Sequence, residues 1–139
     1  RYEKAPYGPY APNLSHVLNV IEGHYISGYG DAEDQPEKQI ELRPEAASQA
    51  ENFLQNYPDT RERFDRVANL IDGLETPFGM ELLATVHWVA SQESASSLDE
   101  VVAQTYAWNK RKRMFKEDHL SVAWEVLKDK GWLPKSSGA

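Results

Sequence analysis

The sequence contains no cysteine. Disulfides, thiolate metal sites and cysteine nucleophiles are therefore excluded, and any core must be held by packing alone. Long apolar runs are also missing. The longest, Leu82 to Ala90, is interrupted by Thr85 and His87 and falls far short of the roughly 20 residues that a bilayer-spanning helix needs. The polar, proline-rich start shows no secretory leader. A cytoplasmic location and no membrane partner are expected. Bases are scarce, 15 against 22 acids, for a net charge of −7. A surface of that sign repels phosphate and suits a basic partner, so direct DNA binding should be weak or absent.

Catalytic signatures are missing as well. The four histidines, His16, His24, His87 and His119, form no HExxH or comparable ligand pair. There is no GxSxG elbow and no phosphate-binding GxxxxGKS/T. Gly28-Tyr29-Gly30 is a lone GxG without a preceding strand or a GxxG continuation, and reads as a turn. No catalytic residue, metal or cofactor is expected. His87 lies in an apolar segment, where a satisfied core histidine is the commoner role. His24, beside Gly23, suits a helix end.

What the chain does contain is an ordinary globular composition, 40% hydrophobic and 27% charged over 139 residues. One domain of this size buries about 68% of its unfolded surface. The charge is uneven: ten acids and four bases fall in residues 1–60, eight and three in 61–109, four and eight in 110–139. Only the last segment is basic.

The pattern predicts a mostly α fold: a single compact helical domain of five to six helices over residues 13–134, with at most a short β element. An extended arm or interdomain linker over 1–12, rich in proline and tyrosine, precedes it, and a disordered tail over 135–139 follows. Asn13 is a plausible N-cap for a first helix with Leu14, Val17, Leu18, Ile21 and Tyr25 on one stripe, ending by Gly28. Gly28 to Lys38 reads as an exposed acidic loop, and QIELR (39–43) as a short strand. Pro44 suits the first turn of a second helix burying Ala46, Ala50, Phe53, Leu54 and Tyr57. Asp59 and Glu62 have capping-box spacing for a third, with Phe64, Val67, Ala68 and Ile71 inward and Gly73 at its end. Thr76-Pro77 opens a fourth, central helix that is apolar almost all round. Ser97 and Glu100 cap a fifth with the stripe Val101, Val102, Thr105 and Trp108. In the last helix Phe115 staples to Leu120 across a cap at Lys116, Ala123, Trp124 and Leu127 face the core, and Gly131 ends it with Trp132 and Leu133 folding back. The tryptophans read as core residues.

The stretches GPYAPNLSHVLNVIEGHYISGYGD (8–31) and ETPFGMELLATVHWVA (75–90), with TRERFDRVANLIDGL and HLSVAWEVLKDKGWL, resemble the C-terminal domain of DarG antitoxins over about Tyr2 to Leu133. The resemblance implies a domain that binds a DarT-type toxin, an enzyme that uses NAD to attach ADP-ribose to thymidine in single-stranded DNA, and blocks its DNA site by resembling that DNA. In full-length proteins of the family an N-terminal macrodomain reverses the modification. Nothing in this chain resembles the macrodomain, so no hydrolase activity is expected here.

A protein that occludes a single-stranded DNA site should offer carboxylates with planar groups between them, because such sites combine a positive groove with stacking surfaces. Residues 24–41 hold that mixture in His24, Tyr29, Asp31, Glu33, Asp34, Glu37 and Glu41. Tyr7 and Tyr10 on the arm add stacking groups, whereas Tyr25 sits on the helical stripe. The rival reading is a helical DNA-binding module contacting phosphates through Lys110, Arg111, Lys112 and Arg113. That run also suits a helix C-terminus, where cations meet the macrodipole. An enzyme fragment is a third and weaker reading.

Overall fold

The computed structural model describes residues 1–29 and 39–133. Among the described residues six helices dominate, as the periodicity predicts: α1 (Leu14–Ile21), α2 (Ala46–Leu54), α3 (Pro58–Ile71), α4 (Pro77–Ser91), α5 (Leu98–Trp108) and α6 (Glu117–Asp129), with a 3-10 helix (Lys110–Met114) between the last two. Two small antiparallel sheets accompany them: β1 (Glu3–Ala5) with β2 (Gly8–Tyr10), and β3 (Ile26–Ser27) with β4 (Glu41–Leu42). The chain groups into two compact units. One comprises Arg1 and Ala11–Arg66, the other Tyr2–Tyr10 and Val67 onward.

The second unit holds nearly all the core. Leu82, Leu83, Val86 and Val89 of α4 pack with Val101 of α5, Phe115, and Leu120, Ala123 and Leu127 of α6. The expected local signals operate here. The Thr76 hydroxyl accepts from the Gly79 amide at 2.9 Å, and the Ser97 hydroxyl accepts from the Glu100 amide at 3.2 Å. The Glu100 carboxylate in turn accepts from Ser96 N at 2.8 Å, one residue before the cap. Phe115 and Leu120 are both wholly buried, as a hydrophobic staple requires. At the end of α6, Trp132 N donates to Leu127 O and Gly131 N to Lys128 O, with Gly131 at φ 77°. That is the Schellman closure, and it explains why the chain folds back at this point.

The first ten residues are extended, but they pair with each other as a hairpin turning at Pro6-Tyr7. The hairpin docks on its own unit. Trp108 Nε1 donates to Ala5 O and Asn109 Nδ2 to Pro6 O, both at 2.9 Å. Lys4 pairs with Glu93 at 2.7 Å while lying over the Trp108 ring.

The first unit is organised differently. The first helix stops at Ile21, four residues short of Tyr25, because Glu22 is extended and the chain turns to form β3. Pro44 lies outside α2, which starts at Ala46 after Glu45 adopts φ 71°. Of the α2 and α3 side chains expected inward, Ala46 is buried and Leu54 half-buried, while Ala50, Phe53, Tyr57 and Phe64 stand exposed; in the part of α3 that belongs to the second unit, Ile71 is half-buried and Val67 and Ala68 are exposed. The expected disordered tail, 135–139, lies outside the described residues.

Candidate partner-binding site

The segment leading into the acidic stretch is built on one carboxylate. Glu22 closes α1, and its two oxygens accept from the amides of Gly28 at 3.1 Å and Tyr29 at 3.2 Å. Backbone amides held by a carboxylate this way fold the loop back on the helix that supplies it. Gly28 has φ 95°, and a Cβ there would stand 2.6 Å from Gln39 O. Only glycine allows both that conformation and that approach. Ile26 is buried beneath the turn and pairs with Leu42, and Tyr25 O accepts from Arg43 N at 2.9 Å. The β3–β4 pair therefore ties the two ends of the acidic stretch together.

Of the proposed contact residues, His24 and Glu41 are exposed in the first unit and Tyr29 is half-buried. Asp31, Glu33, Asp34 and Glu37 lie outside the described residues. Tyr7 and Tyr10 are exposed in the second unit, on the hairpin, and the Arg111 guanidinium lies 4.4 Å from the centroid of the Tyr7 ring. The described candidates thus fall into two sets, His24, Tyr29 and Glu41 in the first unit and Tyr7 and Tyr10 in the second.

Sequence reasoning missed exposed aromatic side chains around the turn between α2 and α3. Phe53 and Tyr57 stack with centroids 4.6 Å apart and an interplanar angle of 24°. They are 60% and 50% exposed, and Phe64 is 57% exposed. Beside them Arg61 is neutralised by Glu51 and by Asp65 at 3.3 Å. The hydrogen bond to Glu51 and the charge of Asp65 hold its pKa above the ordinary value. The helical periodicity of these rings predicts a core-facing side, whereas the structure leaves them exposed.

The basic run is largely committed within its own unit. Lys112 is wholly buried and donates to Glu81 Oε1 at 2.8 Å and to Thr85 Oγ1 at 3.0 Å. Its ammonium lies 4.9 Å from the Trp108 ring centroid. Arg111 also pairs with Glu81. Burial pushes the Glu81 carboxyl up, but the hydrogen bonds and charges of Arg111 and Lys112 outweigh it and hold the pKa below the ordinary value. Burial pushes the Lys112 amine down against the pull of Glu81. Two of the four cations needed by the DNA-binding reading are therefore engaged by one carboxylate. His87 is half-buried edge-on to Trp132, and burial lowers its pKa, as suits a neutral packing histidine. Among the described residues no group of three or more His, Asp or Glu side chains is arranged to hold a metal, and no helix is long and apolar enough to cross a membrane.

No family model matches the sequence. Three curated proteins do, each named DNA ADP-ribosyl glycohydrolase. The one from Thermus aquaticus is 45% identical over 127 residues, covering 91% of this chain and 35% of the relative. Those from Mycobacterium tuberculosis and Mycobacterium bovis are each 33% identical over 127 residues, covering 87% of this chain and 36% of the relative. Identity at this level over nearly the whole chain fixes common descent. The chain is therefore homologous to one part of the DNA ADP-ribosyl glycohydrolases of DarG type, spanning about a third of their length.

Proposed function

We propose that this chain is the antitoxin part of a DarG-type protein. It binds a DarT-type DNA ADP-ribosyltransferase and inhibits it by occupying the toxin's single-stranded DNA site with an acidic, ring-bearing surface. The observation that carries this reading is the partial match: high identity over 91% of this chain against only 35% of a glycohydrolase. Glycohydrolase chemistry then belongs to the remaining two-thirds, where the macrodomain of the family lies. This chain supplies binding, and it acts in the cytoplasm, where the toxin meets DNA.

Composition supports the choice of partner. Residues 11–66 carry eleven acids against five bases. A site made for DNA is basic, and opposite potentials steer the two surfaces together. The same charge disfavours direct DNA binding by this chain, as does the commitment of Arg111 and Lys112 to Glu81.

The test is to titrate the purified chain into NAD-dependent modification of a single-stranded oligonucleotide by the toxin. Inhibition near one equivalent is expected, with no release of ADP-ribose from pre-modified DNA by the chain alone. Full toxin activity in excess chain, or multiple-turnover release, overturns the assignment.

A further inference from the structure

The two units differ sharply in how they satisfy their sequence pattern. In the second, Val86, Val89, Val101, Phe115, Leu120 and Leu127 are wholly buried. In the first, only Ile26 and Ala46 are buried among the described residues. Yet α2 and α3 carry apolar residues at helical spacing as regular as that of α6. Such a row is expected to face an apolar surface, because an exposed row loses the stabilisation that burial would supply. Here Phe53 near the end of α2, Tyr57 in the turn before α3 and Phe64 on α3 are all exposed.

From this we infer that the toxin covers the exposed rings around the α2–α3 turn: Phe53, Tyr57 and Phe64 are the apolar anchors of the complex. This deepens the reading above and rests on it. Charge selects the occupant. The unit that bears the rings is strongly acidic, and the arginine among them is already cancelled by Glu51 and Asp65. The matching surface is a basic one that also receives flat rings. A single-stranded DNA site has both properties, since it holds phosphates by cations and bases by stacking. The stacked Phe53–Tyr57 pair, both rings exposed, offers such a site two planes in place of two bases. Aromatic side chains closed off from water at the centre of an interface carry most of its energy, whereas the surrounding acids mainly set the association rate.

The experiment measures association and dissociation of the 139-residue chain and purified toxin at low and high salt, with hydrogen exchange of the free and bound chain. The double variant Phe53→Ala/Tyr57→Ala is expected to dissociate at least about 30-fold faster at both salt concentrations, the loss typical of removing a central anchor. Its association rate and the melting midpoint of the free chain should stay near wild type, because the rings are exposed before binding. Val122→Ala, equally exposed but on α6 of the other unit, should change neither rate. Amides of α2 should gain protection in the complex. A double variant with wild-type lifetime, or α2 amides that gain no protection, overturns the inference and leaves the toxin reading standing. A loss of binding that merely tracks a lowered melting midpoint also overturns it, since the rings would then be structural. If the wild-type chain fails to bind the toxin, both readings fall.

Discussion

Glu81→Ala and Lys112→Met remove opposite ends of one ion pair, and the structure predicts very different costs. Lys112 is wholly buried and has two oxygen partners, Glu81 Oε1 and Thr85 Oγ1. Removing Glu81 leaves that ammonium in the interior with one neutral acceptor. An uncompensated buried charge costs about 3–5 kcal/mol. Removing Lys112 is gentler. Glu81 keeps Arg111 as a partner, and methionine refills the volume beside Trp108 and Phe115. The loss is then about 1–2 kcal/mol, that of charge-assisted hydrogen bonds without a stranded charge. Urea unfolding followed by circular dichroism and tryptophan fluorescence reads both, because Trp108 lies beside the ammonium. In thermal melts Glu81→Ala should lower the midpoint on the order of 10–20 °C for a cooperative unit of this size. Equal costs for the two variants, or a cost below about 1 kcal/mol for Glu81→Ala, would refute the view that this basic run is an internal fixture.

Three further outcomes are expected. Gly28→Ala should destabilise the β3–β4 turn by at least about 1 kcal/mol, through its positive φ and the close Gln39 carbonyl, and unchanged exchange of the Arg43 amide, which donates to Tyr25 O, would contradict this. Burial holds the His87 pKa below its ordinary value, so the unfolded chain takes up the proton first. Stability is then intact above about pH 6.5 and falls as pH drops from there toward the folded pKa; a His87→Gln variant should lose that slope in melts across pH 5–7, and an unaltered slope would assign it elsewhere. Replacing Asp31, Glu33, Asp34 and Glu37 by their amides should slow capture of the toxin at low salt and flatten its salt dependence, whereas wild-type capture would make the stretch a solvated connection.

The parts of the fold set by local chemistry were legible in the sequence. Thr76-Pro77, Ser97, the Phe115–Leu120 staple and Gly131 each act within a turn of helix, and each sits where its pattern places it. What depended on distant partners was not. The opening residues read as an extended arm or linker because their prolines break regular structure. They form a hairpin because Trp108 and Asn109 donate to the Ala5 and Pro6 carbonyls at its turn. Tyr25 sits on the stripe of α1 but lies beyond its end, since Glu22 binds the Gly28 and Tyr29 amides instead of continuing the helix. Lys112 looks like its neighbours in a basic run, and only Glu81, 31 residues away, explains its burial. The rows on α2 and α3 illustrate a different limit. Periodicity shows that a face is apolar, but not whether its own chain or another protein covers it.

Displacement of DNA from the toxin is the most direct measure of the central claim. A labelled single-stranded oligonucleotide is bound to the purified toxin and the 139-residue chain is titrated in, with anisotropy reporting free DNA. The account predicts complete, competitive release near one equivalent, with no binding of the oligonucleotide to the chain itself. A stable ternary complex of toxin, DNA and chain, or DNA retained in excess chain, would contradict it.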